Sequence, residues 1–165
     1  LDRTWQCATI QLDFSMPERF ELKYTDKDNK EKQPIVIHRV IYGSIERFIG
    51  ILLEHLNGNL PIWLSPVQIR VINFTDRNTK ACEKVVKELK EAIPNIRIDT
   101  DLASVPLSGK IRDAEMQKIN YIIVIGDKEE KAKKLAVRQR GSNKISQESI
   151  EKFIKQIQQE IQERR

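Results

Sequence analysis

The feature that most restricts this chain is the run Tyr121-Ile122-Ile123-Val124-Ile125. Successive side chains of a strand point to opposite faces, so a run without a polar residue is apolar on both. Such a strand has to be covered on both sides, at the centre of a sheet between helical layers. The neighbouring sequence supplies those layers. Residues 67–74 read as a strand. Residues 76–92 read as an amphipathic helix, with Ala81, Val85, Leu89 and Ala92 on one stripe and Lys80, Lys84, Lys87 and Lys90 facing outward. Residues 96–99 read as a second strand, 108–118 as a helix and 135–138 as a further strand. Residues 146–149 open a last helix through Ile150, Phe153, Ile154, Ile157 and Ile161. Strand and helix alternate, which predicts a three-layer α/β domain with a mixed sheet over residues 67–165.

Residues 1–60 are organised differently. Residues 4–14 alternate around Trp5, Cys7 and Thr9 and read as a strand with at least one polar face, on which Gln6, Thr9 and Gln11 offer amide and hydroxyl groups. Residues 16–20 read as a turn. Residues 20–25 read as a strand that pairs, across a polar turn, with a buried strand at Ile35-Val36-Ile37. His38 ends that strand. Gly43 and Ser44 then break the pattern, and Ile45, Phe48, Ile49, Leu52, Leu53 and Leu56 follow at helical spacing up to Asn57-Gly58. Ser44 is the expected N-cap. Backbone N–H groups at such a helix start favour an anion, and Arg47 adds a fixed charge and a flat guanidinium. The combination suits a nucleotide. A core strand and core helix with a solvated Arg is the plain structural alternative. The proline-bounded stretch 61–66 reads as a linker.

With 165 residues, 39% of them hydrophobic, the chain can bury a core and make one or two small domains. Residues 1–64 hold 8 Lys/Arg against 9 Asp/Glu, and residues 65–165 hold 21 against 15, so the net +5 arises in the second part. That balance permits an anionic partner there. Two cysteines make no disulfide framework and suggest a reducing compartment. No apolar run is long enough to span a bilayer and no signal-peptide pattern is visible, so the expectation is a cytoplasmic protein with no membrane partner.

Gly43-Ser44-Ile45-Glu46-Arg47-Phe48 resembles motif 3 of the class II aminoacyl-tRNA synthetases. His38-Arg39, residues 62–68 (Ile-Trp-Leu-Ser-Pro-Val-Gln) and residues 5–14 are similar to the threonyl branch of that family. Residues 125–129 (Ile-Gly-Asp-Lys-Glu) with 136–140 (Ala-Val-Arg-Gln-Arg) resemble the anticodon-binding domain that the threonyl, prolyl, glycyl and histidyl enzymes share.

The resemblance implies the end of a class II antiparallel-sheet catalytic core, followed by an anticodon-binding domain. It implies an intact enzyme, expected to be a homodimer, that activates threonine with ATP and Mg2+ and transfers it to tRNA(Thr). Gln6, Thr9 and Arg47 would serve catalysis, and Gln11 and Ser44 would join them around ATP and the adenylate. His38 would be one of three ligands of a Zn2+ ion. Ser104, Lys118, Glu129, Arg138 and Arg140 would meet the anticodon, with Glu129 in the loop after the central strand and Arg138 and Arg140 on one strand face. The chain departs from the family at Ala8, where Gly is usual, at Ser104, where bacterial members carry Asn, and at Lys118, where they carry Arg. The two upstream class II motifs and two zinc ligands are expected before Leu1, so this chain alone is expected to be inactive. A non-catalytic tRNA-binding accessory or paralogue, or a prolyl or histidyl relative, is the alternative.

Overall fold

A computed structural model describes residues 3–142 and 144–165, in two units, Leu1–Gly58 and Asn59–Arg165. The first unit runs through strand β1 (Thr9–Asp13), helix α1 (Ser15–Arg19), a small hairpin of β2 (Tyr24–Thr25) and β3 (Glu31–Lys32), strand β4 (Val36–Val40) and helix α2 (Ile45–His55). Its organising contact is local. The Asp13 carboxylate accepts the N–H groups of Ser15 and Met16, both at 2.9 Å, and so starts a helix where a turn was expected. That helix reverses the chain directly after β1. β4 therefore pairs antiparallel with β1, Gln11 opposite His38 and Asp13 opposite Val36, rather than with residues 20–25. The expected hairpin shrinks to β2 and β3. Residues 4–8 are irregular rather than strand.

The register sorts this ribbon into two faces. Thr9, Gln11, Asp13 and His38 share one, and Ile10, Leu12 and Ile37 share the other. The strand expected to be buried at 35–37 is not: Ile37 is 62% exposed, beside Ile10 at 69% and Leu12 at 59%. Pro17 is the single buried side chain among the described residues of this unit. Four short strands and two helices hold too little apolar mass to close a core of their own.

The second unit continues with β5 (Ile69–Asn73), helix α3 (Thr79–Ala92), β6 (Ile98–Asp101), α4 (Leu107–Met116), β7 (Tyr121–Ile125), α5 (Asp127–Ala132), β8 (Lys134–Gln139), β9 (Ile145–Ser149) and α6 (Ile150–Gln162). The strands form one sheet in the order β6-β5-β7-β8-β9. β6, β5 and β7 run parallel, and β8 and β9 turn antiparallel. As expected of a continuous apolar run, β7 lies at the centre. Tyr121, Ile123 and Ile125 pack with Ile69, Val71 and Val137 against Cys82 and Leu89 of α3 and Phe153 and Ile157 of α6. Ile122 and Ile72 face the other way, onto Ala114 of α4. These are the three layers.

Three expectations change in this unit. Residues 61–66 are not a free linker: Ile62 is 2% exposed in the core, and Ser65 Oγ donates to the carbonyls of Leu60 and Pro61. Residues 127–129 open helix α5 rather than a loop, because Glu129 turns back to accept the Gly126 N–H at 3.1 Å and acidic groups fill the first turn. Residues 146–149 are strand, not helix. The final helix starts one step later, where Ser149 Oγ accepts the Lys152 N–H at 3.3 Å.

Cys82 is fully buried, and burial pushes its thiol up to about 11 against the opposing pull of the Lys110 charge. At about pH 8, iodoacetamide should alkylate the partly exposed Cys7 of the native chain and reach Cys82 only in denaturant. Peptide mass spectrometry reads both sites, and equal labelling of the native protein would mean that the α3 core is open.

Candidate functional site

The first unit offers its polar face. Gln11 and His38 sit opposite each other across β1 and β4, with Thr9 two pairs further along on the same face. Asp13 Oδ2 lies 3.0 Å from His38 Nε2. The Met16 N–H, then His38, hold the Asp13 carboxyl below the usual carboxylate range. Among the described residues no three His, Cys, Asp or Glu side chains come together as a metal-holding group. The partly exposed Asp13 carboxylate is the one side-chain hydrogen-bond partner of His38 among the described residues.

Helix α2 begins as its sequence requires. Gly43 takes φ +68°, a left-handed turn that suits glycine, and Ser44 Oγ accepts the Arg47 N–H at 3.2 Å. The Arg47 guanidinium lies 5.4 Å from the centre of the Trp5 ring, with Arg3 at 5.7 Å. Trp5 thus holds Arg47 by a cation–π contact. Gln6 and Gln11 are exposed, and no side-chain hydrogen bond of the described residues engages either.

The second unit offers a groove, and uneven layering creates it. α4 covers the sheet over β5 and β7, while the same face of β8 and β9 is left open. The resulting cavity of about 440 Å3 has Ile122, Val124 and Ala136 as its floor, Arg138, Gln147 and Glu129 as polar groups, and Phe74 at its edge. Glu129 is spoken for twice: Oε2 caps Gly126, and Oε1 accepts from Gln147 Nε2 at 3.0 Å. A Cβ on Gly126 would stand 3.0 Å from Glu129 and 3.3 Å from Phe74, so glycine lets that corner close. Arg138 Nη1 pairs with Glu115 of α4 at 2.9 Å, while its Nε is buried with no partner. Nη1 is thus held by Glu115, Nε is shielded, and the side chain as a whole lines the cavity.

The other expected contacts fall elsewhere. Arg140 lies one residue beyond the end of β8. Its Nη1 and Nη2 donate to the carbonyls of Lys118 and Leu60, both at 2.8 Å, so it does not share the groove with Arg138. Burial lowers its pKa from the usual arginine value. Lys118 follows α4 in a left-handed conformation, φ +59°, and lines neither cavity on this side of the unit. Ser104 lines a second hollow of about 320 Å3, where its hydroxyl donates to Asp76 at 3.2 Å. Sequence reasoning missed Trp5, Phe74, Glu115 and Gln147. Each acts across a long loop or from a strand read as helix, and no short-range spacing marks it.

A short antiparallel ribbon feeding a glycine-started helix precedes a three-layer mixed-sheet domain, and each part matches a known family of class II aminoacyl-tRNA synthetase domains. Residues 1–56 match the family described as "tRNA synthetase class II core domain (G, H, P, S and T)", and residues 68–160 match "Anticodon binding domain". The chain belongs to the anticodon-binding-domain family of the class II synthetases. It is 48% identical over 161 residues to a threonine–tRNA ligase of Clostridium kluyveri and 49% identical over 162 residues to that of Desulforamulus reducens. In both cases 98% of this chain is covered and 25% of the relative, so the chain spans about a quarter of the curated relatives it matches. Among solved structures, the RNA binding domain of threonyl-tRNA synthetase from Cryptosporidium parvum matches with a TM-score of 0.82 and 34% identity, covering 95% of this chain and 40% of that one. A prolyl-tRNA synthetase of the same organism, at 21% identity and a TM-score of 0.77, covering 96% of this chain and 34% of that one, shares the fold.

The two arginines should separate in stability. Arg140→Ala strands the buried ends of two backbone carbonyl contacts and should cost about 1–3 kcal/mol. Arg138→Ala removes a pair whose Glu115 partner is more than half exposed, and should cost at most about 1 kcal/mol. Urea unfolding of both variants checks the split, and equal losses would place Arg138 among the structural residues.

Proposed function

We propose that this chain is the part of a threonine–tRNA ligase that carries the end of the catalytic sheet and the domain that reads the tRNA anticodon. Similarity to threonine–tRNA ligases over 98% of the chain, both units included, carries the reading. In the whole enzyme, threonine would be activated with ATP and Mg2+ and passed to tRNA(Thr). Within the first unit, Gln6, Thr9 and Gln11 would bind the adenylate by amide and hydroxyl groups on the polar face. The Ser44-capped start of α2 and the Arg47 guanidinium would meet phosphate and adenine. His38 would supply one ligand of a Zn2+ ion. Within the second unit, the cavity would take unpaired anticodon bases, with Arg138 and Gln147 as donors and Glu129 as acceptor. Ser104 would serve from the second hollow, and Lys118 and Arg140 from outside both. Dimer formation and a cytoplasmic location follow from the same reading.

The 165-residue chain should bind tRNA(Thr) with an affinity that falls steeply with salt, since Lys and Arg contacts release counterions. It should support no threonine-dependent ATP–pyrophosphate exchange. Binding indifferent to salt, or measurable exchange by the chain alone, contradicts this division of labour. In the intact enzyme Arg47→Lys keeps the charge but loses the plane and fork, and should cost activation on the order of 1.5–3 kcal/mol. Arg138→Ala should spare activation and weaken charging. Normal threonine activation by Arg47→Lys would remove Arg47 from the ATP site.

A further inference from the structure

We propose that Phe74 is a stacking platform that separates two pockets for neighbouring unpaired RNA bases. The proposal rests on the reading of the second unit as tRNA-binding and adds a residue that the family resemblance does not supply. Phe74 follows the last residue of β5 and lines both hollows, the 440 Å3 groove of Arg138 and the 320 Å3 hollow of Asp76, Ser104 and Lys110. The two hollows are thus adjacent, with Phe74 in the lining of both.

The ring is open to solvent, unlike the two aromatics of the core. Tyr121 and Phe153 are buried at 2% and 0%, whereas Phe74 is 58% exposed. Its backbone is nonetheless fixed, since its N–H donates to the Ile125 carbonyl at 2.9 Å, extending the sheet by one bond. Its Cβ and Cγ lie 3.3 and 3.6 Å from where a Gly126 side chain would begin, so the base of the ring rests against a surface only glycine provides. Single-stranded RNA is recognised by bases splayed apart and stacked on aromatic rings, with polar groups reading their edges.

Both sides of the ring offer such polar groups. On the groove side stand Arg138 and Gln147 as donors and Glu129 as acceptor. On the other side stand the Asp76 carboxylate and Ser104 hydroxyl, 3.2 Å apart, with the Lys110 ammonium buried beneath the lining and donating to Asn73 Oδ1. The surrounding part of the chain, residues 65–165, carries 21 basic against 15 acidic side chains, which complements a polyanion. Two bases of one strand, one in each hollow, would straddle Phe74, and this places Ser104 and Arg138 on successive nucleotides.

Binding of fluorescently labelled tRNA(Thr) transcript to the 165-residue chain tests the proposal. Phe74→Ala and Phe74→Leu should each weaken binding roughly 5- to 150-fold, the range of one lost base–aromatic stack. Phe74→Trp should bind like the parent and lose indole fluorescence when tRNA is added. Far-ultraviolet circular dichroism melts check that the exposed substitutions leave the fold intact, and Phe74→Leu decides if Phe74→Ala melts early. Parental binding by Phe74→Leu, with Arg138→Ala weakened, overturns the platform while the tRNA-binding groove stands. Parental binding by Phe74→Leu and Arg138→Ala alike overturns the groove and the platform together.

Discussion

The second unit depends on how its sheet is covered. One face of β5, β7 and β8 is sealed by α3 and α6, whose buried Leu89, Phe153 and Ile157 meet the fully apolar side of the strands. The opposite face is sealed by α4 alone, and a single helix about 10 Å across shields only about two strands. β8 and β9 are therefore left with one face open. Evolution of a binding surface on such a sheet needs no special loop, because the missing half-layer is already a groove. The residues on that open face alternate as any strand must, so the same register that buries Val137 delivers Arg138 to the cavity.

The first unit has the reverse problem. Its ribbon presents Thr9, Gln11, Asp13 and His38 on one face and Ile10, Leu12 and Ile37 on the other, and both faces are open within the unit. An apolar face of this kind is unstable in water on its own. The polar face, by contrast, is already ordered by local contacts: Asp13 ties β1 to the start of α1 and to His38 at once, and Ser44 fixes the start of α2. The pieces that would touch a nucleotide are thus set by neighbours in sequence, whereas the burial of the unit is not supplied by its own residues.

What was legible in the sequence follows that distinction. The central strand at 121–125 and helix α2 with its Ser44 cap were readable because each is a strong local pattern. The β1–β4 pairing was not, since it is fixed by a short helix that depends on one Asp13 side chain. β9 was misread because Ser146, Gln147 and Glu148 are polar and sit just before a capped helix; only pairing with β8 makes them strand. Helix α5 was read as a loop because it lasts barely more than a turn and is held by Glu129 and Gly126. The site residues divide the same way. Arg138 could be placed from strand alternation, but the ring of Trp5 beside Arg47, and Glu115 beside Arg138, come from chain segments far apart.

The arginines of this unit show how burial and partner number decide what a charge is for. Arg70 is almost wholly enclosed and bonds to Asp99, Asp113 and Gln117 at 2.6, 2.9 and 2.8 Å, so releasing it would leave a buried cation without partners. Arg140, half-buried, spends both terminal nitrogens on main-chain carbonyls and ties residue 60 to the end of α4. Arg138 has one partner, and that partner is largely exposed, so the pair is worth little and is readily exchanged. Glu115 engages the guanidinium through Nη1 alone. Its Nε, shielded and unpaired, leaves the group short of one hydrogen bond. An anionic or carbonyl-bearing ligand entering the groove can replace Glu115 at small cost. Availability for binding therefore increases from Arg70 through Arg140 to Arg138, in step with the number of internal bonds each would have to give up.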